Sequence, residues 1–526
     1  MNPNTVTVDN STTPAGLTFA DQFNVAVPFI DRHMGEGRGD KIAIRTREGD
    51  TTYAQLRNNV NRAGNAFIDL GLSPGDRVLM VVKDCPAFPF LFWGAIKAGF
   101  VPVPVNTLLA AKDYKFIAED SETACIVWSP EFAKEVIAAI ASMATGPQHQ
   151  IPTEGEFTSL ASLMENAASE LDPVVTRAQD DCFWLYTSGS TGEPKGAVHA
   201  HKDMVVTSQY YGVETLGMTE DDVFLSAAKL FFAYGLGNAM TFPFWIGGQA
   251  VLWGGRSTPD TMFEQIAAFK PTIYFGVPTL FATQLQTLGN TSPDLSSLRL
   301  CVSAGEPLPA NIFERWEART GLQILDGIGT TENLHIFISN RPDDARLGVS
   351  GREVPGYTAK IVDDDNNPVA RGEIGELMVL GQSVTSRYWN LPERSASTLV
   401  DGWLRTGDSY YQDEDGYFIC CGRSDDMLKV GGIWVSPVEI ESRLVSHEAV
   451  LEAAVVGLTD DDDLVKPEAF IVLAEGHAGS DALIAELQAH CKAGLARYKF
   501  PHQIYFADDL PKTATGKIQR FRLRTR

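Results

Sequence analysis

The stretch Thr187-Ser188-Gly189-Ser190-Thr191-Gly192-Glu193-Pro194-Lys195-Gly196 interleaves hydroxyls with glycines around a single lysine. Glycine lets backbone amides close on phosphate oxygens, hydroxyls add donors and the ammonium adds charge, so the chemistry on offer is a grip on a polyphosphate. The pattern departs from a Walker A loop. Lys195 is followed by Gly196 where that motif has Ser or Thr, and the flanking FWLY and AVHAH runs read as two strands with no helix after the loop. Taken alone, the same residues also describe a mobile Ser/Gly surface loop. Further along, Glu332 follows Thr330 and Thr331, and Asp408 closes an Arg-Thr-Gly-Asp turn. A lone Glu reads as a surface carboxylate, and an Asp in such a turn fixes it through its side chain. Either can instead hold a hard cation or a pair of hydroxyls. Lys517, by itself, reads as a solvated tail charge.

The elements needed to position these residues are legible around them. From Thr51 to about Asn340, helical patterns such as TYAQLRNNVNRAGNAFIDLG alternate with β-rich runs such as RVLMVV, ACIVW, TIYFGV and LRLCVSAG. This alternation predicts an α/β fold of layered sheets. After Gly351, strands separated by turn clusters, as in AKIVDDDNNPVARGEIGELMVLG and GYFICCGR, predict an antiparallel, β-barrel-like part that closes a large N-terminal domain. SPVEIESRLVSH predicts a helix with Ser436 at the N-cap and Pro437 at the first helical position, followed by strands in LEAAVVG and EAFIVLA. A small C-terminal α+β domain is therefore expected. The boundary falls in the polar segment from Gly422 to Asp426, which gives a large domain over residues 17–424 and a small mobile one over 425–526. Residues 1–16 are polar, without the basic start or apolar core of a signal peptide, and are expected to be a disordered tail.

Composition narrows the function classes. A chain of 526 residues with 44% hydrophobic content can fill more than one core. Its net charge of −24, from 67 acidic against 43 basic residues, disfavours a nucleic-acid surface, so an anionic substrate must be met by local cations. The seven cysteines are scattered, odd in number and free of C-x-x-C spacing, which points to a reducing cytoplasm and away from disulfides or structural zinc. The apolar run from Pro86 to Val105 is broken by Lys97, Gly99, Pro102 and Pro104. It predicts a buried helix ending near Gly99 and then a short strand, not a membrane span.

The loop TSGSTGEPKG resembles the signature phosphate loop of the adenylate-forming superfamily of acyl-CoA synthetases, luciferases and peptide-synthetase adenylation domains. Four further segments resemble that family's motifs in order: SAGEPLP at 303–309, DGIGTTE at 326–332, RTGD at 405–408 with GRSDD at 422–426, and PKTATGK at 511–517. The resemblance spans nearly the whole chain. It implies an ATP site formed by Thr187, Ser188, Gly189, Ser190, Thr191, Gly192, Lys195, Gly305, Glu306, Asp326, Gly327, Thr330, Thr331, Asp408, Arg423 and Lys517. It also implies Mg²⁺ held by Glu332 and Thr187, ribose hydroxyls received by Asp408, and ribose or phosphate touched by Arg423. Lys517 would reach the α-phosphate and carboxylate during adenylation, so Lys517, Glu332 and Thr187 form the expected catalytic group. Asp425 matches the family's hinge, and a swing about it would bring Lys429, Gly431 and Gly432 to line a coenzyme A tunnel.

Within the superfamily the resemblance is closest to the benzoate-CoA ligases, through SAAKLFFAYGLGNA at 226–239 and GTTENLHIFISN at 329–340. It implies an acyl pocket of Phe232, Ala233, Tyr234, Ala304, Gly305, Gly329, His335 and Ile336, with the small walls and aromatic faces that suit a flat aryl acid. By composition alone FFAY reads rather as a core strand or helix, and His335 equally as a satisfied core histidine. Asn333 departs from the more apolar residue of that group, and Tyr234 and His335 could each hydrogen-bond a hydroxyl or amino substituent. The expected reaction is benzoate, ATP and coenzyme A to benzoyl-CoA, AMP and pyrophosphate through a benzoyl-adenylate. A monomer or homodimer, with neither nucleic acid nor membrane as partner, would carry it out. Alternatives are a hydroxybenzoate- or aminobenzoate-CoA ligase, a luciferase-like monooxygenase, or an adenylating enzyme that loads a separate carrier protein. A fused carrier is not expected in the nine residues after Lys517. A nucleotide-binding regulator that kept the fold is the non-enzymatic alternative, against which the intact Lys195, Glu332, Asp408 and Lys517 argue.

Overall fold

A computed structural model describes residues 1–155, 158–188, 193–290, 292–430, 433–459, 465–496, 499–512 and 518–524. Runs such as VFLS, IYFG and LCVS are buried along their whole length, as strands covered on both faces must be. Among the described residues they lie inside a nine-stranded sheet. Its parallel middle runs Ile324–Gly329, Leu300–Ser303, Ile273–Gly276, Val223–Ser226, Gln249–Val251 and Ile42–Thr46. Ile336–Ser339 and Arg352–Glu353 extend one edge antiparallel, and Gly49–Thr52 extends the other. A second, four-stranded parallel sheet orders Val101–Pro104, Arg77–Val81, Thr123–Trp128 and His149–Pro152.

The register determines where a site can form. Ser226 pairs with Phe275, Gly276 with Ser303, and Ser303 with Asp326, so the carboxyl ends of these strands share one edge of the sheet. Loops leaving that edge line the crevice in which open parallel sheets bind ligands. Here they begin the segments at 227–235, 304–309 and 329–335, which hold the predicted acyl and nucleotide motifs.

Helices cover the sheets where the periodicity predicts them. Tyr53–Asp69 opens on a capping box: Thr52 Oγ1 accepts from Gln55 N at 3.2 Å, and Gln55 Oε1 accepts from Thr52 N at 2.8 Å. Its buried face crosses Ala87–Ala98 at Gly94, where a Cβ would stand 2.7 Å from Val60 O and 2.8 Å from Gly64 N. Gly94→Ala is expected to destabilise the protein by about 1–3 kcal/mol through this overpacking, measurable as a lower urea midpoint at unchanged slope. Ala87–Ala98 ends at Gly99, in the left-handed region at φ 88°, and the strand Val101–Pro104 comes next, as expected. No helix among the described residues is long and apolar enough to cross a membrane.

Residues 1–16 differ from the expected disordered tail. Val6–Asp9 pairs antiparallel with Gly16–Phe19, and Val6, Val8, Leu17 and Phe19 pack on the core. Asn4 N donates to Gln22 O at 2.7 Å, and Ala15 N donates to the Glu214 carboxylate at 3.2 Å. A short period-2 alternation was hidden by the polar residues around it.

After Gly351 the chain builds the expected antiparallel part, a five-stranded sheet of Thr358–Val362, Gly375–Leu380, Trp403–Gln412, Leu399–Val400 and Phe418–Arg423. The C-terminal unit comes after it, with Val450–Thr459, Val465–Leu473 and Gln503–Phe506 in one sheet. Helices Pro437–Val445 and Asp481–Gly494 close a separate core around Ile440, Leu444, Val455, Ile471 and Leu487. Ser436 caps the first of these helices, accepting from Glu439 N at 3.2 Å, and donates to Cys421 O at 2.7 Å.

Candidate active site

The glycine-rich loop joins two strands, as its flanks predict. Asp181–Ser188 and Pro194–Ala200 pair antiparallel with Lys195 opposite Thr187, and Arg387–Tyr388 adds on the far side with Tyr388 opposite Ala197. Thr187 and Lys195 are half-buried at the mouth of this hairpin. Gly189, Ser190, Thr191 and Gly192 lie outside the described residues, as does the side chain of Ser188. The Lys195 ammonium sits 5.1 Å over the Tyr388 ring. Burial, then repulsion by Arg394, lowers its basicity; Arg423 adds to the effect and Glu332 opposes it. Three cations and one carboxylate therefore lie close enough to act on one another's charge, a gathering of the kind a nucleotide polyphosphate needs.

Glu332 is held at both its backbone and its side chain. Thr385 N donates to its carbonyl, and Tyr388 OH donates to Oε1, each at 2.6 Å. Burial and the Glu332 charge both push the Tyr388 hydroxyl up, so it stays a donor. One carboxylate oxygen thus remains for a hard cation. Such an oxygen, joined by a hydroxyl such as that of Thr187, would fit Mg²⁺ sharing its shell with phosphate better than a protein-only cage. Tyr388→Phe is expected to raise KM for MgATP about tenfold with KM for the acid unchanged, read from initial rates, because it removes a hydrogen bond to a charged group.

Asp408 and Arg423 face each other across paired strands. Arg423 Nη1 lies 3.1 Å from Asp408 Oδ1 and 3.0 Å from Thr406 O. Burial opposes the Arg423 charge, but Asp408 and then Asp425 outweigh it and hold the guanidinium above its ordinary range. Gly407 adopts φ 71°, and a Cβ there would stand 2.6 Å from Arg423 Nη2, so the turn and the pair both require glycine. Asp425 is exposed in the next turn, 3.8 Å from Arg423 Nε. Its neighbour Asp426 is gripped by Arg524 and, at 3.8 Å, by Arg520.

Lys429 is exposed on Leu428–Val430, while Gly431, Gly432 and Lys517 lie outside the described residues. The residues flanking 513–517 meet: Lys512 pairs with Ile518, and Gln519 N donates to Pro511 O at 2.7 Å.

The other nucleotide residues divide by burial. Gly305 is exposed and Glu306, Thr330 and Thr331 are half-buried at the strand ends, whereas Gly327 is buried. Asp326 is buried, with Oδ2 3.5 Å from Leu308 N, and desolvation raises its carboxyl well above the usual range. It meets the 303–309 turn through that contact with Leu308.

In the acyl region, Phe232, Tyr234 and Gly329 are half-buried, while Ala233, Ala304, His335 and Ile336 are buried. Tyr234 OH points into the sheet, 3.3 Å from Gly276 O and 3.4 Å from Val302 O. His335 Nε2 lies 3.2 Å from Asn238 Oδ1 and 3.3 Å from Tyr234 O. Its ring packs on Phe242 at 4.5 Å, Tyr211 at 5.2 Å and Tyr234 at 5.6 Å, and burial lowers its pKa to about 3. Tyr234 OH and His335 Nε2 are thus taken up by protein oxygens, while His335 Nδ1 is buried without a hydrogen-bond partner among the described residues. Sequence reasoning missed Tyr388 and Arg394. Tyr388 stands in a two-residue strand whose neighbour is set only by tertiary pairing, so RYWN carries no local signal.

Two family patterns match the chain: the AMP-binding enzyme over residues 31–389 and its C-terminal domain over residues 439–517. The chain is 47% identical over 519 residues to the benzoate–CoA ligase of Thauera aromatica, covering 98% of each. It superposes on the benzoate CoA ligase of Burkholderia xenovorans LB400 with a TM-score of 0.89 at 43% identity, over 95% of this chain and 100% of that one. An anthranilate CoA ligase solved with anthranoyl-AMP gives a TM-score of 0.93 at 42% identity, over 96% of this chain and 98% of that one.

Proposed function

The chain belongs to the AMP-binding enzyme family, and from that premise we propose that it is a benzoate–CoA ligase, converting benzoate, ATP and coenzyme A into benzoyl-CoA, AMP and pyrophosphate. The observation that carries this reading is the near end-to-end match to a benzoate–CoA ligase. The cleft that gathers Lys195, Glu332 and the Asp408–Arg423 pair supports it.

A carboxylate is a poor acyl donor, so the reaction divides. One benzoate oxygen bonds to the α-phosphorus, the bond from that phosphorus to the bridging oxygen breaks, and pyrophosphate leaves. The coenzyme A thiol then gives up its proton to solvent, its sulfur bonds to the acyl carbon, and AMP departs with the electron pair of the acyl–oxygen bond. In the first step, Lys195 and the backbone of its loop hold the phosphates, while Asp408 accepts from the ribose hydroxyls with Arg423 keeping it ionised and oriented. Lys517 supplies an ammonium against the charge that builds on the α-phosphate oxygens. Glu332 and Thr187 would hold Mg²⁺, which when bound neutralises phosphate charge. The acid lies against Phe232, Ala233 and Tyr234, between Ala304, Gly329 and the wall of His335 and Ile336. For the second step the residues after Asp425 rotate as a unit, withdrawing Lys517 and bringing up Lys429, Gly431 and Gly432 along the pantetheine path. The setting is the cytoplasm.

The test is the product mixture. Purified protein is given ATP, Mg²⁺, coenzyme A and equal amounts of benzoate, 3- and 4-hydroxybenzoate, 2-aminobenzoate, cinnamate and hexanoate, and the thioesters are read by mass spectrometry. Benzoyl-CoA is expected to dominate, with AMP and pyrophosphate. A dominant hydroxybenzoyl or aminobenzoyl thioester overturns the choice of acid but leaves the chemistry. Absence of any thioester overturns both.

A further inference from the structure

A histidine lies fully buried on the strand that follows the phosphate loop in sequence, and none of the roles above uses it. His199 stands on Pro194–Ala200, on the strand that carries Lys195, with its ring stacked on Phe183 at 5.1 Å and 18°. Both ring nitrogens meet oxygen: Nδ1 is 3.0 Å from Asp203 Oδ2, and Nε2 is 2.9 Å from the carbonyl of Thr331. A carbonyl can only accept, so Nε2 carries a hydrogen and donates to Thr331. Asp203 is itself buried. It is fixed by Ala200 N at 3.0 Å and Lys202 Nζ at 3.1 Å, and Lys202 also donates to Gln382 O.

The carbonyl that His199 holds belongs to the residue immediately before Glu332. Thr331 O also accepts from Leu334 N at 3.0 Å, closing the turn in which Glu332 sits. Leu334 has φ 68°, a left-handed conformation that a branched side chain adopts only when its surroundings enforce it. The carbonyl of Glu332 takes Thr385 N at 2.6 Å, and that of Asn333 takes Ser383 Oγ at 2.9 Å. Three consecutive carbonyls are thus held from two sides: His199 holds the first, and the 383–385 segment holds the other two. Thr385 is in turn tied to the His199 strand through Val198 O at 2.6 Å. A leucine at 199 would fill the same apolar space against Phe183 without burying a histidine beside a carboxylate, an arrangement with a desolvation cost.

We propose that His199, oriented by Asp203, is a positioning residue for metal-nucleotide binding. By donating to the Thr331 carbonyl it fixes the turn from which Glu332 presents its carboxylate. The inference rests on the proposed role of Glu332 as a Mg²⁺ ligand. It does not depend on which acid is the substrate. Partners one layer behind a metal ligand change metal affinity about 10- to 100-fold when removed.

The test is calorimetric titration of the full-length chain with ATP, once with excess Mg²⁺ and once with EDTA, without acid or coenzyme A. The variants are H199L, H199Q and H199N. Glutamine places an amide near the position of Nε2 and can still donate to Thr331. Asparagine places one near Nδ1 and cannot reach. H199L and H199N are expected to bind MgATP about tenfold more weakly and metal-free ATP within about twofold of wild type, with H199Q within about threefold of wild type in both. If H199L does not fold, the comparison of glutamine with asparagine decides. Equal MgATP affinities for those two, or a loss of equal size with and without Mg²⁺, overturn the proposal. Wild-type ATP binding indifferent to Mg²⁺ overturns it together with the metal role of Glu332. The choice of benzoate is read separately, from the product mixture.

Discussion

Lys517→Ala is expected to slow formation of benzoyl-adenylate by roughly a thousandfold while thioester formation from supplied benzoyl-adenylate stays within about threefold of wild type. Both reactants of the first step are anions, and the charge that builds on the α-phosphate oxygens has to be met by a cation, which counts for far more the less water surrounds it. The second step expels AMP from an adenylate already made and has no such need. Pyrophosphate exchange measures the first half-reaction, and rapid mixing of purified adenylate with coenzyme A measures the second. Equal losses in the two would remove Lys517 from its proposed role and make it a structural residue.

Glu332→Gln is expected to lower adenylation by about 10²–10³ and to raise the Mg²⁺ concentration for half-maximal rate by at least about tenfold. The substitution keeps the shape and keeps an oxygen for the Tyr388 hydroxyl, so the turn pinned by Thr385 and Ser383 is undisturbed. What is lost is the charge and the second carboxylate oxygen, the one left for the cation. Because Tyr388 acts through Glu332, the double variant Y388F/E332Q should be little worse than Glu332→Gln alone, a departure from additivity that the double-mutant cycle reads directly. Unchanged Mg²⁺ dependence in Glu332→Gln would assign the carboxylate a role other than metal binding.

The sequence exposed those parts of the site that depend on local chemistry. The loop at 187–196 was readable as strand, phosphate grip, strand because its glycines and hydroxyls stand between two β-rich runs, and the structure pairs Lys195 with Thr187 there. Ser436 and Pro437 announced the first helix of the C-terminal unit for an equally local reason. The parts that stayed hidden depend on distant pairing. Tyr388 reaches Glu332 across 56 positions in sequence and His199 reaches Thr331 across 132; no spacing rule links such pairs. The hairpin formed by Val6–Asp9 and Gly16–Phe19 was obscured because composition weighed more than a four-residue alternation. Asp326 lay in a nucleotide motif, yet the register that pairs it with its parallel neighbour buries its carboxyl.

The inward-turned hydroxyl of Tyr234 bears on how acid preference would drift over generations. A phenol whose single O–H is already shared between the carbonyls of Gly276 and Val302 cannot be recruited to a new ring substituent by changing one neighbour, because it would have to give up that bond and turn out of the sheet. Variation is less constrained at Ala233 and Ala304, where trading a small side chain alters the slot without removing a side-chain hydrogen bond, whereas Gly329 is fixed because a Cβ there would stand 2.6 Å from His335 O. Descendants of this chain that come to favour other aryl acids should therefore carry their changes at those two alanines and retain the tyrosine.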